Sequence, residues 1–250
     1  MQDKQSVYDK DGFFELYQKL RSNPNSLNEI VEKPTMLGLV GDVSDKRILD
    51  LGCGCGEHLK LYLERGAAFV AGIDLSQAML QQAAKNLAEF RPHFLLEQVP
   101  MERLDQLNEG GFDLITSSFA FHYVQDFPAL LAKIYDKLAP NGQLIFSQEH
   151  PIVTCYQGGE RWEKNAQKRQ LAYRLNFYRD EGERQRNWFK QPFTTYHRTT
   201  ATIINNLISA GFHIEQMAEP MLADQPQWQD EFKDLQHRPV LLFVKARKNT

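Results

Sequence analysis

The chain has 250 residues, 42% hydrophobic and 24% charged, with 11% aromatic side chains, enough apolar material for one large α/β domain with a sizeable core and too much for a disordered chain. A net charge of −3 excludes a chain-wide basic field of the kind that drives general adhesion to nucleic acid or membranes. Three cysteines, Cys53, Cys55 and Cys155, are too few and too unevenly numbered for a disulfide scaffold, and no apolar run or N-terminal signal core is present, so a cytoplasmic location is expected.

In chain order, Gly12 to Leu20 reads as an amphipathic helix carrying Phe13, Phe14, Leu16, Tyr17 and Leu20, either a lid over a ligand or a packing helix at a sheet edge. From Lys46 onward short apolar runs alternate with helical patterns, the signature of parallel strands joined by crossover helices. The strands expected are Arg47–Leu51, Phe69–Asp74, Phe94–Val99, Phe112–Ser117 and Gln143–Ser147. Between them lie a helix from Glu57 to Arg65 closed by Gly66, one capped by Ser76 and carrying Met79, Leu80 and Leu87, and one from Phe127 to Leu138. The alternation stops at His150-Pro151, and about fifty residues follow without a clear period, which marks an insertion. A helix from Thr200 to Ala210 and strands at His213–Met217 and Val240–Val244 close the chain, and those two strands, with no helix between them, can pair antiparallel. The domain reading is therefore 1–45 as a helical lid, 46–149 as the core, 150–198 as an inserted cap and 199–250 as the rest of the core.

The first strand ends in Asp50-Leu51-Gly52-Cys53-Gly54-Cys55-Gly56 and opens into a helix, which lets backbone approach a nucleoside-type cofactor with no Cβ in the way. Dinucleotide sites use a similar turn, but their third small residue falls here on Glu57, whose carboxylate suits a pyrophosphate poorly. Asp74, about twenty residues on at the end of the second strand, is placed to accept from ribose hydroxyls or, alternatively, to cap the next helix. The C-x-C pair lacks the further ligands of a zinc site, and no metal is expected.

With Ile48 to Gly56 as a first motif and Gly72-Ile73-Asp74-Leu75-Ser76 as a second, the chain resembles the class I S-adenosylmethionine-dependent methyltransferases. The resemblance runs through Phe112–Val124 and Leu138–Phe146, and Tyr196–Thr200 with Arg238–Leu242 look like a methyltransferase type 11-like bacterial small-molecule subgroup. It implies a Rossmann-like sheet of seven strands with the last antiparallel, and S-adenosyl-L-methionine as cofactor. It also implies that Gly52, Cys53, Gly54 and Gly56 pass under the methionine part, that Asp74 binds the ribose, and that Leu75 and Met79 flank the adenine. Where many members carry Asp-Ala-Glu this chain has Pro100-Met101-Glu102, leaving the Met101 backbone and Glu102 for the adenine edge. Ser117, Ser118 and Phe119 would face the methyl-donor end, with Tyr17 contributing from the N-terminal helix.

Methyl transfer mainly needs positioning, with a base only where the acceptor must lose a proton. Ser118-Phe119-Ala120-Phe121 departs from the Asn/Asp-Pro-Pro-aromatic pattern of amino-group methylases acting on nucleic acids or glutamine, which disfavours that class. His122 is a candidate general base or a loop hydrogen-bonding residue; Tyr196, His197 and His150 are further candidates near substrate. Between Pro151 and Arg198 ten Lys or Arg stand against five Asp or Glu with nine aromatics interspersed, which reads as a cap drawing in an acidic or aromatic small molecule, as an RNA-binding surface, or as a solvated hairpin. The expected activity is methyl transfer to a small-molecule oxygen or nitrogen acceptor; the alternatives are RNA methylation, a nicotinamide oxidoreductase and a non-catalytic cofactor-binding module.

Overall fold

The apolar runs pair into one sheet, described, like the rest of residues 9, 13–188, 191–221 and 232–249, from a computed structural model. Its strands are β1 (Arg47–Leu51), β2 (Phe69–Ile73), β3 (Phe94–Glu97), β4 (Phe112–Ser117), β5 (Leu138–Glu149), β10 (Phe212–Ala218) and β11 (Leu241–Lys248). They lie in the order β10-β11-β5-β4-β1-β2-β3. β11 runs antiparallel to both its neighbours, and the other pairs are parallel, so the expected seven-stranded architecture is present.

Strand periodicity sorts the core into two layers. From β1, Leu49 and Leu51 join Ile115, Phe121, Phe127 and Phe146 on the face covered by helices α5 (Phe127–Lys137) and α7 (Thr200–Ser209). Ile48, with Val70, Leu114 and Ile145, packs on the other face against α2 (Lys33–Val40) and α3 (Glu57–Glu64). Helix α4 (Gln77–Asn86) begins at Ser76, whose hydroxyl accepts from the Met79 amide, as the capping pattern predicts. Among the described residues no helix is long and apolar enough to cross a membrane.

Two expectations change. Strand β5 spans Leu138–Glu149 rather than 143–147: Leu138 pairs with Phe112, and the far end runs on to Glu149 opposite Leu241, which carries that carboxylate to the carboxyl edge of the sheet. The insertion is not aperiodic. After the one-turn helix α6 (Pro151–Thr154) it holds two antiparallel hairpins, β6 (Trp162–Lys164) with β7 (Gln170–Tyr173), and β8 (Gly182–Trp188) with β9 (Gln191–His197).

The N-terminal segment forms α1 (Phe13–Arg21) and then a wide five-residue turn, Asn28–Glu32, that runs into α2. Gly12 and the side chains of Phe13, Leu16, Tyr17 and Leu20 lie outside the described residues.

Candidate cofactor and acceptor site

The site begins where β1 ends. Gly52, Gly54 and Gly56 all adopt positive φ, at 73°, 53° and 75°, and a Cβ on Gly54 would meet nothing within 4 Å. The turn is tied to β2 by the Gly52 and Cys53 amides, which both donate to the Ile73 carbonyl, and by the Gly54 amide, which donates to Asp74. The second Asp74 oxygen accepts from the Ser76 amide, so this carboxylate braces the turn and the start of α4 together; burial raises its pKa. Asp9 covers the same corner, accepting from the Ser76 hydroxyl and the Ala78 amide.

From this turn a cavity of about 760 Å³ extends to the β8–β9 hairpin, within the size range of small-molecule sites. Of the residues singled out in the sequence, Gly52, Cys53, Gly54, Ser118, Phe119 and His122 line it. Gly56, Asp74, Leu75, Met79, Met101, Glu102 and Ser117 do not. Gly56 packs on Ala83, and the Ser117 hydroxyl donates to the Leu51 carbonyl inside the core. Met101 reaches the underside of Gly52.

The candidates at the insertion junction are engaged elsewhere. His197 is 1% exposed; its Nε2 donates to the Tyr178 carbonyl and its Nδ1 accepts from the Thr154 hydroxyl, so no ring nitrogen is left for a substrate. Tyr196 is buried in β9 and does not line the cavity. His150 caps α6, accepting from the Ile152 amide at Nδ1 and donating to Glu219 from Nε2. Arg184 is buried and donates to the Asp180 and Glu183 carbonyls, so it shapes the hairpin corner rather than meeting a ligand.

His122 differs from these. It is 4% exposed, sits on the cavity wall beside Tyr123, and its Nδ1 is buried without a hydrogen-bond partner. Burial lowers its pKa to about 4, with Glu149 opposing and Arg186 and Arg198 assisting, so the imidazole is neutral at ordinary pH. Its loop is held by Arg198, which donates to the Val124 and Gln125 carbonyls.

These shifts have a measurable consequence. The unfolded chain protonates His122 near 6.5 and the folded chain only near 4, so this group contributes stability that is lost as pH falls through that window. Asp50, fully buried and raised to about 6, acts in the opposite sense: its stabilising contribution is lost as pH rises from 3.8 to 6. His122→Gln removes one of two opposing slopes. As pH rises from 4.5 to 6 the variant is expected to lose about 2 kcal/mol more than wild type in urea denaturation, at ~1.4 kcal/mol per unit of pKa shift.

Sequence reasoning did not single out as site residues several groups on the same wall. Asp50 accepts from the Thr116 hydroxyl beneath the turn, and His58, 7% exposed, has an Nε2 with no hydrogen bond, 3.9 Å from Glu32. Glu57, noted for disfavouring a pyrophosphate, pairs with Arg21 at 2.9 Å and Lys33 at 3.4 Å. At the opposite end stand Glu149, Arg186, Arg161, Asn187 and Phe193. The signal for Glu149 was available, because ligands of open α/β sheets gather at the carboxyl ends of the strands. All three cysteines are free thiols, and no cluster of three metal-binding side chains occurs among the described residues.

Residues 48–142 match a methyltransferase domain model. An uncharacterized protein of Haemophilus influenzae is 68% identical over 251 residues, 99% of each chain. A solved S-adenosylmethionine dependent methyltransferase from Mesorhizobium loti is 34% identical, with a TM-score of 0.80 over 89% of this chain and 100% of its own. A malonyl-[acyl-carrier protein] O-methyltransferase of Serratia marcescens is 34% identical over 115 residues; the match takes in 45% of this chain and 42% of that relative's length.

Proposed function

The chain belongs to the S-adenosylmethionine-dependent methyltransferases, and from that premise we propose that it methylates an oxygen or nitrogen of a small molecule bound in the cavity between the glycine turn and the β8–β9 hairpin. The observation that carries this reading is the cavity wall: at the end opposite the turn, His122 Nδ1, Glu149 Oε2 and Arg186 Nη1 are buried polar atoms with no partner in the protein. Such atoms are costly unless a ligand satisfies them.

The residues present fit the cofactor. Gly54 opens onto free space, and the Asp50 carboxylate on the adjoining wall, which forms no ion pair among the described residues, suits a donor that carries positive charge rather than phosphates. S-adenosylmethionine supplies an electrophilic methyl group on a sulfonium. In this reading Gly52, Cys53, Gly54 and Gly56 hold the donor's amino-acid end by backbone, and Asp74 with Leu75, Met79, Met101 and Glu102 form the adenosine side. Ser117, Ser118 and Phe119 flank the reacting end, and His122 Nδ1 is the group placed to take a proton from an acceptor that must lose one. The free thiols suit a reducing, cytoplasmic setting.

The insertion's cations nearest the cavity favour a small molecule over RNA. Arg184, Arg186 and Arg198 are held by backbone carbonyls or a carboxylate, and the exposed Lys164, Lys168, Arg169, Arg174 and Arg179 do not line the cavity. The test has two parts. S-adenosylhomocysteine at one hundred times its Kd is expected to stabilise the protein by ~2.7 kcal/mol while NAD does nothing. Labelled methyl incubated with cell extract is expected in the small-molecule fraction; label confined to RNA would overturn the acceptor class.

A further inference from the structure

The charged side chains on the cavity wall are not evenly matched along its length. Arg21 pairs with Glu57 at the turn end, and Arg186 meets Glu149 at 3.4 Å at the hairpin end. Two are left without an ion pair among the described residues: Asp50 under the turn and Arg161 at the hairpin end. Each closed pair adds no net charge. An incoming molecule therefore meets a carboxylate at the turn end and one unopposed guanidinium at the hairpin end.

Arg161 is held in place without being satisfied. It stands just before β6, where its carbonyl accepts from the Arg174 amide beyond β7. Its guanidinium lies over the Tyr156 ring, 3.9 Å from the centroid, and that ring is fixed by its hydroxyl, which donates to the Gly159 carbonyl. Contact through the flat face leaves the edge N–H groups, and these are the ones that grip a carboxylate by two parallel hydrogen bonds. Half-buried on the cavity wall, the side chain is shielded enough for such a bond to exceed that of a fully solvated pair. Tyr123 and Phe193 line the same end of the cavity, their ring centroids 6.1 Å apart, and give it an aromatic wall.

Resting on the methyltransferase reading, we infer that the acceptor is a planar monocarboxylate whose carboxylate is held by Arg161 and whose apolar part packs on Tyr123 and Phe193. One free guanidinium matches one carboxylate, and Arg161 is the residue that sets specificity for an anion. Arg186 is a lesser contributor, because Glu149 already opposes its charge.

The experiment uses the full chain saturated with S-adenosylhomocysteine and four probes followed by ligand-observed NMR titration: benzoate, benzamide, benzylammonium and phenyl phosphate. In the wild type benzoate is expected to bind at least tenfold more tightly than its uncharged isostere benzamide and than benzylammonium, and more tightly than phenyl phosphate. Arg161→Gln is expected to bring benzoate to within about twofold of benzamide, and Arg161→Lys, which keeps the charge but loses the fork, to recover part of the preference. Glu149→Gln, which removes the one carboxylate lining that end, is expected to strengthen benzoate at least threefold, a gain that misfolding does not mimic. Benzoate binding the wild type no better than benzamide, no binding by any of the four, or an Arg161→Gln protein that keeps the wild-type preference overturns the inference. Phenyl phosphate binding more tightly than benzoate makes the anion a phosphate and overturns the carboxylate. The wild-type ranking needs no variant, so a misfolded substitution does not spare it. Absence of S-adenosylhomocysteine binding would instead be the failure of the methyltransferase reading.

Discussion

Gly52→Ala is expected to weaken S-adenosylhomocysteine binding by at least tenfold in a chain that still folds. Gly52 holds φ at 73°, where an L side chain costs roughly 1–2 kcal/mol, and its added Cβ would lie 2.9 Å from Ala120 Cβ and 3.4 Å from Met101 Cε. A carbon pair at 2.9 Å must separate, which adds roughly 1–3 kcal/mol of overpacking. The turn is pinned from behind by the Ile73 carbonyl and Asp74, so relief comes by moving either the turn or the Ala120 loop. Both are cavity walls, since the next residues of that loop include His122. Ala120→Gly in the same chain removes the clash but not the backbone strain, so partial recovery of affinity is expected. Gly54→Ala is the contrasting case: its Cβ meets no protein atom, and it should reduce binding with a smaller loss of stability. Isothermal titration gives the affinities, and an unchanged Kd for Gly52→Ala would remove the donor from this turn.

The parallel part of the fold was legible because its strands are buried on both faces and stand out as apolar runs between capped helices. Ile48, Leu49 and Leu51 are each 0% exposed, and Ser76 caps its helix as its position suggests. The hairpins of the insertion were not legible for the opposite reason. β6 and β7 have three and four residues, mostly exposed, with a single aromatic pair across them, Trp162–Tyr173 at 5.1 Å, while β8 reads Gly-Glu-Arg-Gln-Arg-Asn-Trp with no apolar alternation. The site divides in the same way. The glycine turn and Asp74 are local in sequence and could be read there. Glu149 and Arg186 lie 37 residues apart, and neither carries a motif; only the register of β5 and the fold of the hairpin bring them together. His197 and Tyr196 attracted attention as polar residues beside the core, but burial in β9 is what places them there, and His197 is satisfied by Thr154 and Tyr178.

Glu32→Ala is expected to destabilise the protein by about 2–3 kcal/mol and to loosen the N-terminal segment from the site, because this carboxylate is what fastens one to the other. Glu32 closes the wide turn at the start of α2, is 1% exposed, and accepts from the Ser118 hydroxyl at 2.6 Å and the Ser147 hydroxyl at 2.7 Å. Those serines are 86 and 115 residues away, at the carboxyl ends of β4 and β5. A carboxylate this deep persists only where its hydrogen bonds compensate for lost hydration, and the two serine hydroxyls supply them. Ser118 also lines the cavity, so the same bond that anchors the segment orients a side chain of the cavity wall. Arg21 and Lys33 on Glu57 add a second, half-exposed tie that the substitution leaves intact. Alanine removes the acceptor of both hydroxyls, Ser147 keeping only the bond it accepts from the Phe119 amide, whereas Glu32→Gln keeps an oxygen for them and should cost about 1 kcal/mol. Faster hydrogen exchange confined to residues 28–40, together with weaker S-adenosylhomocysteine binding, is the expected pattern for the alanine variant. Combining Glu32→Ala with Ser118→Ala should cost less than the two changes added, by about 1 kcal/mol, because each single change removes the same bond. A strictly additive pair, or an alanine variant within about 0.5 kcal/mol of wild type, would mean that the segment is held by its apolar contacts at Val31, Met36 and Leu39 and not by the buried carboxylate.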